Sequence, residues 1–332
     1  MARSTYFATH ARSAKALAVS VGAIVALGAC TPSPRPGFPG GTSVAPGSDT
    51  NSTSTTGTSE IITTPVSPAA IPLGDGHVSD SPQIGYVDSC TTTFKRGGAE
   101  HAGPWIDTTS GTWDSETKPA VEGSVSWPNA SYSVTTSGPS RIISTVDLPI
   151  DHATGIFPIP ASDPAYQYDT NPNSITAQSI VWRLTLNPTA APTPRCTGLG
   201  PIGVLDDGVL LFNALDAAGR DAGAHEVLDS CGEHPENTGM LHHHNVPSCI
   251  LDKTTGSSTL VGYAADGYGI YVERDTNGNL LTNADLDACH GRTSTVMWNG
   301  TEQSVYHYDA TLEYPYTVGC FHGTPINTHV AG

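Results

Sequence analysis

The sequence predicts a mainly β, disulfide-stapled domain with an internal duplication of hairpin-containing repeats. Three observations carry that expectation. From Gln83 onward, short β-branched or aromatic runs alternate with Gly, Pro and Asn turn signals. No segment keeps a helical period for longer than about two turns. Two stretches of the second half repeat one another in order, down to their cysteines.

The chain opens with what reads as an address. Arg3, Arg12 and Lys15 form a basic segment without acidic residues, and Ala16 to Ala26 is apolar but too short to span a bilayer. The segment ends in Leu27-Gly28-Ala29-Cys30, which resembles the lipobox of bacterial lipoproteins, where small residues precede a cysteine that is lipidated. Residues 1–29 are therefore expected to be a lipoprotein signal peptide. Cys30 is the expected lipidation site, and the membrane is a partner through that lipid. The implied location is extracytoplasmic, anchored to the bacterial cell membrane. Residues 30–82 are rich in Ser, Thr, Pro and Gly and nearly free of aromatics, so a disordered tether is expected. A tether of that length reaches about 40 Å. The folded domain is then expected over 83–332.

Charge narrows the function classes. The chain of 332 residues carries 14 basic and 31 acidic side chains, a net charge of −17. Removal of the leader takes it to −20. Nucleic acid is excluded as a partner, since phosphate binding needs clustered Lys and Arg.

Within the folded part, Ser124-Val-Ser-Trp127, Ser140-Arg-Ile-Ile-Ser144 and Ile180-Val-Trp-Arg-Leu184 read as strands. Ala217 to Val227 is the best helix candidate, weakened by Gly219 and Gly223. Gly203 to Phe212 aligns without gaps to Gly262 to Tyr271, and Leu228-Asp-Ser-Cys231 then meets Leu286-Asp-Ala-Cys289. Each copy continues to a His-containing alternating segment and a second cysteine, giving repeats of about 203–249 and 262–320. Asp207-Gly208 and Asp266-Gly267 read as type I′ hairpin turns rather than as catalytic acids. Asn277-Gly278 is also a turn, because its surroundings lack the glycine position and closing Glu of a calcium-binding EF-hand loop.

Once Cys30 is assigned to lipid, six cysteines remain, an even number suited to an oxidising compartment. Fifteen pairings are open. The repeat favours one rule used twice, Cys231 with Cys249 and Cys289 with Cys320, leaving Cys90 with Cys196.

Chemistry is expected at the histidines. Residues i and i+2 of a strand share a face, so His242 with His244, and His307 with Asp309, present paired donors. Packing of the two repeats about a shared axis would bring these four together as a metal site. Asp229, Asp287 and Tyr306 are candidates to orient the ligands from behind, and His234 and His290 are possible additional donors. Imidazole and carboxylate accept a divalent or redox ion such as Cu, Fe, Mn or Zn. The alternative is a structural or surface-interaction module in which His and Tyr only pack. No G-x-S-x-G elbow, P-loop or dinucleotide fingerprint is present, and no catalytic residue or reaction is named.

The segments Leu228-Asp-Ser-Cys-Gly-Glu-His234, Met240-Leu-His-His-His244, Gly262-Tyr-Ala-Ala-Asp-Gly267, Leu286-Asp-Ala-Cys-His-Gly291, Tyr306-His-Tyr308 and Pro315-Tyr-Thr-Val-Gly-Cys-Phe321 resemble the YHYH family. Upstream, Pro149-Ile-Asp-His152 to Pro158 and Asn171-Pro-Asn173 resemble it too, so the similarity runs from about Arg141 to Gly323. Leu241 and His243 stand where that family has Tyr, and Asp309 stands where His is expected. If the family's His pairs bind metal, Asp309 exchanges a neutral donor for an anionic one, favouring harder ions. The resemblance supplies no activity.

Overall fold

The computed structural model describes residues 64–95 and 97–328. The expected leader, Cys30 and residues 30–63 of the expected tether lie outside the described residues. The rest of that tether needs correction, because residues 64–82 belong to the folded body. Ile71 is buried, and Val66, Leu73 and Val78 pack with it against a core containing Trp105, Trp113, Tyr314 and Tyr316. A few apolar residues in a Ser/Thr/Pro tract are enough when they dock on a core that others build. Five two-residue strands fasten this region: β1 (Ile71–Pro72), β2 (Val78–Ser79), β3 (Val87–Asp88), β4 (Ile106–Asp107) and β5 (Thr112–Trp113). They form the sheets β1-β5-β4 and β2-β3.

The chain is mainly β. Strands β6 (Tyr132–Ser137), β7 (Ser140–Thr145) and β8 (Ile180–Thr185) make an antiparallel sheet. Strict alternation in β8 buries Ile180, Trp182 and Leu184, which join Ile143 on a core shared with Val204, Leu205 and Ile270. Buried Arg141 is held without a carboxylate. Its guanidinium lies 4.2 Å from the Tyr263 ring and 4.4 Å from the Trp298 ring, and it donates to Asn299 Oδ1 at 2.7 Å.

The centre is an eight-stranded sheet of β9 (Pro201–Leu205), β10 (Leu210–Phe212), β11 (Glu233–Pro235), β12 (Leu241–His243), β13 (Ser258–Ala264), β14 (Gly269–Glu273), β15 (Gly291–Trp298) and β16 (Thr301–Asp309). Its order is β11-β12-β10-β9-β13-β14-β16-β15. The two sides match about the central antiparallel pair, where Gly262 faces Leu205, Tyr263 faces Val204 and Ala264 faces Gly203. On one side β10 runs parallel to β12, with Leu211 opposite His243; on the other β14 runs parallel to β16, with Ile270 opposite Tyr308.

Two local expectations change. Asp207 and Asp266 do sit in hairpin turns, but of a different type, since only Gly208 (φ 94°) and Gly267 (φ 96°) take positive φ. Gly208 N–H donates to Leu205 O and Leu205 N–H to Val209 O, while Asp207 Oδ1 accepts from Val209 N–H. This is a three-residue loop ending in a left-handed glycine, and the aspartate side chain braces it. The helix expected over 217–227 shrinks to α1 (Ala222–His225), because Gly219 turns left-handed and Asp221 caps the helix from Ala224 N–H. A second short helix, α2 (Ser248–Leu251), follows β12. Disulfides join Cys90–Cys196, Cys231–Cys249 and Cys289–Cys320, the pairing the repeat favours. Among the described residues no helix is long and apolar enough to cross a membrane.

Candidate metal centre

Strand β12 carries His242, and His244 follows at its end. Antiparallel pairing places His234 of β11 directly opposite His242, so a third imidazole arrives across the sheet. Ring centroids lie 4.4 Å apart for His234 and His242, 4.8 Å for His242 and His244, and 5.4 Å for His234 and His244. Phe212 stacks on His242 at 3.9 Å and fixes its plane. Glu226, delivered by the C-cap of α1, places Oε2 3.1 Å from Nε2 of both His234 and His244. All four side chains are buried.

Backbone acceptors set two of the tautomers. His242 Nδ1 donates to Met240 O at 3.2 Å and His244 Nδ1 to Asn213 O at 2.5 Å. A carbonyl only accepts, so both rings carry a proton on Nδ1. His234 differs, because Asn171 Nδ2 lies 3.3 Å from its Nδ1 and donates to it, which leaves the ring proton on Nε2 facing Glu226.

Electrostatics follow from burial and crowding. Burial, and then the neighbouring His234 and His244, push His242 well below the usual histidine range. Burial alone would raise Glu226, but the two imidazoles outweigh it and hold the carboxyl well below its ordinary value. The group lines a cavity of about 470 Å³ together with Glu100, Asp169, Asn171, Asn173 and Leu199. Among the described residues lining it, none is Lys or Arg. Three imidazoles and one carboxylate converging there could hold a transition-metal ion with one position open to a small molecule.

The expected single centre of His242, His244, His307 and Asp309 is corrected by the topology. Strands β10, β9, β13 and β14 lie between β12 and β16, which at about 4.8 Å per strand separates the pairs by roughly 24 Å. Matching about the β9·β13 pair moves the equivalent segments outward instead of together. His307 and Asp309 form their own buried group with Glu273, in which His307 Nε2 lies 3.2 Å from Glu273 Oε2 and 3.6 Å from Asp309 Oδ2.

The three expected orienting residues do other work. Asp229 Oδ1 accepts from Cys231 and Glu233 N–H, and Asp287 Oδ1 from Cys289 and Gly291 N–H, so each braces the turn at its cysteine. Tyr306 faces away from His307, stacks on His322 at 3.7 Å and donates to Asp287. His290 takes positive φ at one of those turns, its ring meets Thr311 and its carbonyl accepts from Asp309 N–H, but its imidazole is in neither ligand group. His243, on the opposite face from His242, lies 2.9 Å from Asp207 Oδ2 and 3.2 Å from Glu233 Oε1, and His152 reaches the same Glu233 oxygen at 3.1 Å. Cys231 adjoins that network, but its sulfur is in a disulfide and cannot act as a thiolate ligand.

Glu226 carries no sequence signal beyond its place near the end of the helix candidate, and His234 was expected solely as an additional donor. The imidazoles and the cysteine-braced turns define a β domain with a His-rich buried cluster. The family described as YHYH protein matches residues 181–281, so this part of the chain is a YHYH domain and contains all four clustered side chains. No curated protein and no solved structure matches the chain.

Proposed function

We propose that the chain is an extracytoplasmic metal-binding protein whose ion is held by His242, His244 and Glu226, with His234 as the fourth donor. One observation carries the reading: the ligand nitrogens of three buried imidazoles, His234, His242 and His244, lie within 4.8 Å of one another, and Glu226 Oε2 is 3.1 Å from Nε2 of His234 and of His244. Glu226 Oε2 supports it, being buried without a well-formed hydrogen bond although two imidazole nitrogens lie 3.1 Å away. Two nitrogens on one tetrahedral ion with bonds of roughly 2.1 Å stand about 3.4 Å apart. The His234–His244 separation of 3.3 Å is of that size.

The donor set suits Zn, Fe, Mn or Cu, and the cavity favours handling of the ion or metal-dependent redox chemistry on a small molecule over a closed structural site. Anchoring through lipid on Cys30 completes the proposal, supported by the leader pattern and by three disulfides that suit an oxidising compartment.

Elemental analysis of protein purified without a His tag, after loading with each ion, tests the site. For at least one of these ions the natural chain should take up one equivalent more than the His242→Ala/His244→Ala variant. Equal uptake of every ion by both, or none by either, overturns the proposal and leaves the packing module. For the anchor, Cys30→Ser should move the protein from the membrane fraction to the soluble extracytoplasmic fraction.

A further inference from the structure

Asp309 is fully buried, and neither of its carboxylate oxygens has a hydrogen-bond partner. Such a group is strongly destabilising as an unpaired ion. A proton would remove the charge but leave the O–H without an acceptor, because the neighbouring imidazole nitrogen is 3.6 Å away, beyond hydrogen-bond reach. His307 Nδ1 donates to Val305 O at 3.0 Å, and its Nε2 lies 3.2 Å from Glu273 Oε2, its hydrogen-bond partner, and 3.6 Å from Asp309 Oδ2. The ligand atoms of Glu273, His307 and Asp309 lie within 4.8 Å of one another.

The positions repeat those of the first cluster with altered chemistry. Pairing of Arg292 with His307 corresponds to that of His234 with His242, so Asp309 stands in the place of His244 and Tyr271 in that of Phe212. Arg292 Nε lies 3.4 Å from Glu273 Oε2, and Ser294 Oγ donates to the same carboxylate. These contacts compensate Glu273 and leave Asp309 without a partner.

We propose that Glu273, His307 and Asp309 form a second cation site, independent of the first, which takes a harder divalent ion of the Mn2+ class. Two carboxylates favour an oxygen-preferring ion, and the imidazole favours Mn2+ over Mg2+ or Ca2+. Arg292 in place of an imidazole removes the donor that would hold a softer ion.

Mn2+ titration of the full chain, followed by electron paramagnetic resonance, tests it. One Mn2+ equivalent should persist in His242→Ala/His244→Ala, and Asp309→Asn should weaken that equivalent at least about tenfold. Asp309→His should shift the preference from Mn2+ toward Zn2+. Should Asp309→Asn not fold, Glu273→Gln decides by the same criterion. Absence of Mn2+ binding in the first-site variant, or unchanged binding in folded Asp309→Asn, overturns the proposal. Failure of the first site would show separately, as unchanged uptake of Zn2+, Fe2+, Cu2+ and Mn2+ alike on loss of His242 and His244.

Discussion

Nε2 of His234 and Nε2 of His244 lie 3.3 Å apart, and Glu226 Oε2 is 3.1 Å from each. Three such atoms gather stably only around a shared proton or a cation. If a cation fills the space, the folded state gains free energy by mass action, about 2.7 kcal/mol when free metal is a hundred times Kd. Chelation should then lower Tm by about 5–10 °C for a domain of this size. Differential scanning fluorimetry with and without EDTA checks this, and the His242→Ala/His244→Ala variant should show no shift from this site.

In the proposed site Asn171 would set whether His234 takes part. As placed, its amide donates to His234 Nδ1 while its Oδ1 accepts from Asn173 N–H. A metal at His234 Nε2 needs the opposite tautomer, so the amide must turn to accept from Nδ1. Asn171→Asp supplies an acceptor without that turn and should raise metal affinity. Asn171→Leu removes it and should cost about tenfold or more. Unchanged affinity in Asn171→Leu by calorimetry would remove His234 from the ligand set.

What the sequence made legible was periodic or covalent. Alternation in Ile180, Trp182 and Leu184 announces a half-buried strand, matched cysteine positions indicate the disulfides, and the spacing of His242 and His244 places two imidazoles together. His234 could not be assigned this way, since its position depends on the β11·β12 register set by the turn at Gly239. Glu226 was hidden for a similar reason: it reaches the cluster because α1 is short and ends beside it. The separation of His307 from His242 was illegible because a repeat does not reveal which strands meet at its axis. Here β9 meets β13, and the His-bearing strands lie outside them.

His243 is the hub of a buried network. Its imidazole bridges Asp207 and Glu233, and all three are essentially inaccessible. His243→Ala strands two carboxylates and should cost about 3–5 kcal/mol, a Tm decrease on the order of 10 °C.

The same network sets a pH dependence. Burial opposes protonation, but Asp207 and Glu233 outweigh it and raise His243 well above its ordinary value. His152 is raised to about 9 against burial, by Glu233 and Asp151. A raised folded pKa gives stability that is complete below the unfolded value of about 6.5 and lost as pH climbs through the folded one. Glu233 is lowered despite burial, by His152 and His243, so its contribution is lost below about 4.5. Urea midpoints should therefore fall from about pH 6.5 to about pH 9, with a smaller fall in His152→Gln. A flat profile across that range would contradict the ion-paired network.

Gly262 tests the pairing that keeps the two His segments apart. It faces Leu205 on β9, and a Cβ there would lie 2.5 Å from Val204 O and 2.9 Å from Leu205 Cδ2. The obstructing atom is backbone in the middle of the sheet and cannot swing aside. The matched Gly203 has more room, its Cβ meeting Tyr263 O at 3.1 Å. Gly262→Ala should therefore cost about 1–3 kcal/mol by overpacking, and Gly203→Ala less. Both should appear as a lower urea midpoint with an unchanged m value. A Gly262→Ala variant as stable as Gly203→Ala would mean that β9 and β13 do not meet in this register, and the separation of the two clusters would lose its structural basis.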